Sequence, residues 1–152
     1  MHRLIPFPLL LLTALYATQA PAALVVSNLG HSRLFDVTVS DSLWHAVAFV
    51  SGADVTLDSA DLLMGTSAGG GNFGVEIWSS NGRPDALLSS LTGPSDPAAG
   101  VQSYVGSVAL QADTEYWLVA TIRSGSAQYG WGVTLTSGAS SATQMGEVNS
   151  SA

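Results

Sequence analysis

Glu115-Tyr116-Trp117-Leu118-Val119-Ala120-Thr121-Ile122 is the stretch whose reading decides the fold. Tyr116, Leu118, Ala120 and Ile122 fall on one parity, and Glu115, Trp117, Val119 and Thr121 on the other. A two-residue repeat is that of a strand, whose successive side chains point to opposite faces. Aromatic and β-branched residues fill the run, as a pleated surface favours. In the Tyr116-Trp117 pair one ring must lie off the core side of its strand.

The same rhythm extends outward in both directions. Downstream, Tyr129, Trp131, Val133 and Leu135 form a set; upstream, Tyr104, Gly106, Val108 and Leu110 share a face, and Val75 and Ile77 lie within Phe73 to Trp78. Nearer the N-terminus the sets are Phe35, Val37 and Val39, then Trp44, Ala46, Ala48 and Val50, with Val55 and Leu57 following the Ser51-Gly52 turn. Gly65 to Gly74, Ser79 to Pro84, Thr92 to Gly100 and Arg123 to Gln128 carry strong breakers and read as turns or loops. Asp85 to Leu91 fits either a helical turn or a bent strand. Seven to nine such strands without strand-helix alternation predict an all-β domain over residues 23–136: an antiparallel, jelly-roll-like two-sheet β-sandwich.

At either end the pattern changes. Arg3, the apolar run Leu4 to Leu15 and the small-residue pattern Ala20-Pro21-Ala22 read as a signal peptide over residues 1–22, so the chain is expected to be exported. The apolar run is shorter than the roughly 20 residues that span a bilayer, and Pro6 and Pro8 interrupt it, so no transmembrane segment is expected in the mature chain. Residues 137–152 are rich in Ser, Ala and Gly and read as a flexible polar tail.

Composition excludes several classes of function. The 152 residues suffice for one ordinary domain. The formal net charge is -7 and the four cations are all Arg, so a nucleic-acid backbone or an anionic lipid surface would be repelled. Cysteine is absent, which removes disulfides, thiolate metal ligands and thiol nucleophiles.

An ordered series of short motifs runs from Trp44 to Leu135. It begins with Trp44-His45-Ala46-Val47-Ala48-Phe49-Val50-Ser51-Gly52 and Val55-Thr56-Leu57, then Val75-Glu76-Ile77-Trp78-Ser79-Ser80-Asn81-Gly82-Arg83-Pro84. Leu87-Leu88-Ser89-Ser90-Leu91-Thr92-Gly93-Pro94 follows, then Leu110-Gln111-Ala112-Asp113-Thr114-Glu115-Tyr116-Trp117-Leu118-Val119, and finally Tyr129-Gly130-Trp131. The series resembles the bacterial surface module known as the choice-of-anchor R domain. That resemblance implies an exported β-sandwich on secreted or cell-surface proteins, usually followed by an interchangeable C-terminal sorting signal. No hydrophobic anchor follows here, so the expectation is a released protein or a truncated product. The resemblance carries no catalytic residues.

Several chemical motifs match in letters and fail in context. Gly65-Thr66-Ser67-Ala68-Gly69 fits the G-x-S-x-G nucleophile elbow, which needs a strand before the serine and a helix after it. More glycine follows instead, and His31 and His45 both precede Ser67. Gly69 to Gly74 fits G-x-G-x-x-G but leads into Val75-Glu76-Ile77-Trp78, with no helix to hold a pyrophosphate. A phosphate loop of the Walker type lacks its lysine. Asp54, Asp58 and Asp61 are the densest carboxylates and would suit a calcium ion, but the remaining oxygens are not visible, so solvated strand-edge charges are the plainer reading. Glu76 and Glu115 would suit a glycosidase pair only if brought within about 5–10 Å of each other; strand glutamates are more commonly outward-facing.

The aromatic residues are the better clue. Trp44, Trp78, Trp117 and Trp131 suffice for a core and for an exposed stacking surface. Trp78 and Trp117 are the candidates for a ligand platform; the competing reading makes both core anchors. The expectation is therefore a non-enzymatic exported module of a cell surface or extracellular matrix, without catalytic, cofactor or metal residues. Its partner would be a surface polysaccharide or another surface protein. The alternative is a carbohydrate-binding module that uses exposed aromatics, with or without calcium.

Overall fold

The computed structural model describes residues 23–27, 29–30, 32–135, 142–144 and 146–151, which form nine strands and no helix. The expected signal peptide lies outside the described residues. No helix among them is long and apolar enough to cross a membrane. The strands are β1 (Ala23–Ser27), β2 (Phe35–Ser40), β3 (His45–Ser51), β4 (Val55–Ser80), β5 (Pro84–Leu91), β6 (Gly100–Leu110), β7 (Thr114–Leu135), β8 (Ala142–Gln144) and β9 (Gly146–Ser151). Each pairing is antiparallel, and all belong to one hydrogen-bonded sheet. The all-β reading therefore holds.

β4 and β7 organise everything else. The first half of β4 pairs with β6 and β9, its second half with β5, and from Met64 to Ser79 it runs beside β7. β7 carries β3 on its first half and β2 on its second. The sheet is folded over on itself. Phe73 stands opposite Ile122, and Tyr129 lies seven positions further along β7. On a flat sheet that offset is about 23 Å at roughly 3.3 Å per residue. The Phe73 and Tyr129 rings nevertheless lie 5.2 Å apart, so both strands bend sharply between them.

The bend is built from two segments that the sequence marks as loops, and here the expectation is corrected. Gly65 to Gly74 and Arg123 to Gln128 are strand, because they pair with each other: Gly69 with Ala127, Gly70 with Ser126 and Gly71 with Gly125. Gly69 (φ 82°) and Gly125 (φ 85°) adopt left-handed backbone, which side chains disfavour and glycine accepts. A Cβ on Gly69 would stand 2.8 Å from the Ser126 carbonyl oxygen, and one on Gly125 3.1 Å from the Gly70 oxygen. Glycine thus permits a backbone approach that would otherwise force the ladder apart. Register shifts flank the bend, at Met64/Ser67 and at Gly71/Phe73. Each is a bulge, and each switches the inward parity of one strand. Leu62 and Met64 give way to Phe73, Val75 and Ile77 in β4; Leu118, Ala120 and Ile122 give way to Ala127, Tyr129 and Trp131 in β7.

Inward side chains of both halves meet in one core, where Trp131, Tyr104, Tyr129, Leu57, Leu62, Met64, Ile77 and Leu118 are fully buried. The buried phenols are satisfied: Tyr104 donates to the Pro94 carbonyl at 3.1 Å, and the Tyr129 hydroxyl lies 2.8 Å from Asp96 Oδ1 and 3.1 Å from the Gly71 oxygen. These contacts tie the β5–β6 loop to the bend, together with Phe73 N–H donating to the Ser95 carbonyl at 2.9 Å. Thr92 and Val105 exchange two backbone hydrogen bonds of 2.8 Å and close the open edge between β5 and β6.

Two further readings change, and the open choice for Asp85 to Leu91 falls to the strand. In β3 the core takes Val47 and Phe49, while Trp44 and Val50 are 53% and 54% exposed. Both parities of His45–Ser51 are apolar, and the bulkier pair fills the core better than Ala46 and Ala48. Asp85 to Leu91 belongs to a strand, β5, with no helical turn. The polar tail expected over 137–152 contributes β8 and β9, paired with β7 and with β4 and β1; backbone hydrogen bonds to a neighbouring strand recruit a segment without an apolar pattern. Residues 136–141, 145 and 152 lie outside the described residues.

Candidate functional site

Strand parity places the remaining tryptophans on one outer face. Since Val75 and Ile77 point inward, Glu76, Trp78 and Ser80 point outward from β4. Tyr116, Leu118 and Ala120 point inward from β7, which turns Glu115, Trp117 and Val119 outward. Register then brings the two expected platform residues together, with Trp78 directly opposite Trp117 and Ala48 of β3 on the far side of Trp117. Trp44, just before β3, completes the group with its ring 6.0 Å from that of Trp78 at 48°. Trp78 and Trp117 are half-buried, and neither belongs to the main core. Val119 is fully buried on this outer face, so other side chains of the face cover it. Trp44 is the member that sequence reasoning missed. Its parity, opposite to that of Phe49, is the signal that would have found it.

The polar groups beside the indoles are fixed by one another. Trp78 Nε1 donates to Glu76 Oε2 at 3.0 Å, and Trp117 Nε1 donates to Ser80 Oγ at 3.0 Å. The Ser80 hydroxyl in turn donates to Glu115 Oε1. Gly82 N–H also donates to Ser80 Oγ, at 3.2 Å. At the other end Arg123 lies across Gly74, its Nε 3.4 Å from Glu76 Oε1 and its Nη2 donating to the Val75 carbonyl at 3.2 Å. Anchored indole N–H groups hold the ring planes in place, so the face is organised before any ligand arrives.

The other candidates are not assembled in the same way. Glu76 stands opposite Val119, four positions from Glu115, about 13 Å along the strand. Each carboxylate is held by its own partners, which does not build a glycosidase pair. Ser67 lies within β4 opposite Tyr129, and among the described residues no helix follows to form an elbow. His45 Nε2 is 3.1 Å from the Thr38 carbonyl oxygen; His31 lies outside the described residues. Asp54 accepts a hydrogen bond from Ala112 N–H at 2.8 Å. Among the described residues, Asp54, Asp58 and Asp61 form no cluster of three metal-ligating groups. A depression of about 420 Å³, lined mainly by polar residues with Ala68 and Ala127 among them, runs along Ser40, Asp41, Ser42, Gly69, Ser126 and Gln128, beside the bend.

No family model, no curated protein and no solved structure matches this chain.

Proposed function

We propose that this chain is an exported, non-catalytic β-sandwich module that works by binding, as a component of a cell surface or extracellular matrix. On this reading the folded sheet forms the two layers of the sandwich, residues 1–22 are the export signal, and the motif series from Trp44 to Leu135 is that of a choice-of-anchor R domain. The observation that carries the binding role is the pairing of Trp78 with Trp117 on an outer face, with Trp44 alongside. A purely structural sheet would spend its largest apolar side chains in the core. Three partly exposed indoles, two of them held by their N–H groups, are instead a stacking surface for rigid rings.

The same observation favours the carbohydrate-binding form of this proposal. Indole faces stack against the C–H faces of sugar rings, while neighbouring carboxylates accept hydrogen bonds from hydroxyls. A glycan array probed with the wild-type chain and with Trp78→Ala and Trp117→Ala tests it. The proposal expects saturable binding to at least one glycan class, insensitive to a calcium chelator and abolished by either substitution while the circular dichroism spectrum stays unchanged. Absence of binding across the array would sink the carbohydrate form and leave a structural surface component.

A further inference from the structure

We infer that the tryptophan face takes a glycan bearing free amino groups, an amino-sugar polymer of the glucosamine kind; this rests on the binding reading above and names its ligand class. Around the Trp78–Trp117 pair three donors are engaged by acceptors of the protein: Trp78 N–H by Glu76, Trp117 N–H by Ser80, and the Ser80 hydroxyl by Glu115. Arg123, at the margin, is drawn back onto Glu76 and the Val75 carbonyl. Acceptor capacity remains on Glu115. A carboxylate offers about four lone-pair sites, and among the described residues Glu115 has Ser80 as its one hydrogen-bond partner and no cation.

A ligand suited to that carboxylate must donate to it, and gains most by bringing a positive charge. An anionic glycan only adds acceptors and charge repulsion, in a chain of net charge -7 without lysine. A neutral or N-acetylated sugar offers hydroxyl donors to a carboxylate but no cation to pair with it. A protonated amino sugar brings three donors and no acceptor on its ammonium group. It forms a charge-assisted hydrogen bond to Glu115. Its cation lies against indole faces, whose quadrupole attracts positive charge, while the ring stacks on the same indoles.

Titration of the chain with four soluble hexasaccharides tests this: glucosamine, N-acetylglucosamine, cellohexaose and galacturonate, each followed by calorimetry below and above the amine's pKa. The glucosamine hexamer is expected to bind on the order of ten-fold more tightly than its acetylated form when protonated. That preference should shrink with added salt and disappear in Glu115→Gln, whose amide still accepts from Ser80. Should Glu115→Gln fail to fold, the salt and pH dependence of the wild type decides alone. Equal or tighter binding of the acetylated, neutral or acidic hexamer overturns the amino-sugar assignment but keeps the stacking platform. Binding of none of the four, or binding that Trp117→Ala leaves intact, removes the platform itself.

Discussion

Two aromatic clusters lie on opposite faces of the sheet built around β4 and β7, and their difference lies in what satisfies them. Inside, Phe73, Tyr104, Tyr129 and Trp131 are sealed from solvent, with the two phenols bonded to backbone carbonyls and to Asp96 of the loop that closes over them. Outside, Trp44, Trp78 and Trp117 stay partly exposed, and the bonds described for their indole N–H groups go to Glu76 and Ser80 of the same sheet. The inner cluster joins parts of the chain distant along the strands and so holds the fold. The outer one is held by its neighbours within the sheet. On the proposed reading, aromatics serve stability on one side and recognition on the other, divided by strand parity.

The largest effect expected from this contrast is in stability. Trp131→Ala should cost about 3–5 kcal/mol, the range for emptying a buried tryptophan site, and Trp44→Ala about 1 kcal/mol, since 53% of Trp44 is already exposed. Chemical denaturation of both variants measures the gap, and equal losses would erase the distinction between the faces. Next comes the bend that separates the clusters. Gly69→Ala places a Cβ 2.8 Å from a backbone oxygen at φ 82°; strain of this kind costs about 1–3 kcal/mol. A melting temperature equal to wild type would show that the bend does not depend on glycine.

A smaller effect concerns pH. Burial, and after it the hydrogen bond to Asp96, pushes the Tyr129 phenol above its ordinary value near 10; burial, and after it the neighbouring Tyr129, does the same to Tyr104. A folded-state pKa above the unfolded one means stability that is complete below about pH 10 and lost as pH climbs toward the folded values. Denaturation midpoints should be insensitive to these groups at neutral pH and fall above about pH 10. Tyr129→Phe should start about 1 kcal/mol lower at pH 7 and decline less steeply in alkali. An identical alkaline slope would mean that the phenol is not protected.

Much of this was legible in the chain. The parity switch between Tyr116–Ile122 and Tyr129–Leu135 is visible as two apolar sets, one on even and one on odd positions, and the structure explains it as a bulge at the bend. The placement of Trp78 opposite Trp117 was not legible, because register depends on which strands pair and where bulges fall. The glycine segments misled for a physical reason: glycine punctuates an isolated chain, yet two such segments facing each other continue a ladder that side chains would have blocked. The polar C-terminal strands escaped because main-chain hydrogen bonding leaves no mark in side-chain hydropathy. Trp44 was hidden by β3, whose two faces are apolar alike.

The central claim is that the tryptophans on one side of β4 and β7 meet ligand while the one on the other side does not. Indole N–H resonances of the ¹⁵N-labelled chain, followed as glucosamine hexasaccharide is added, test it most directly. The signals of Trp44, Trp78 and Trp117 should shift together in one saturable process, with Trp131 unmoved. Three stationary outer signals, or a shift confined to Trp131, would contradict the account.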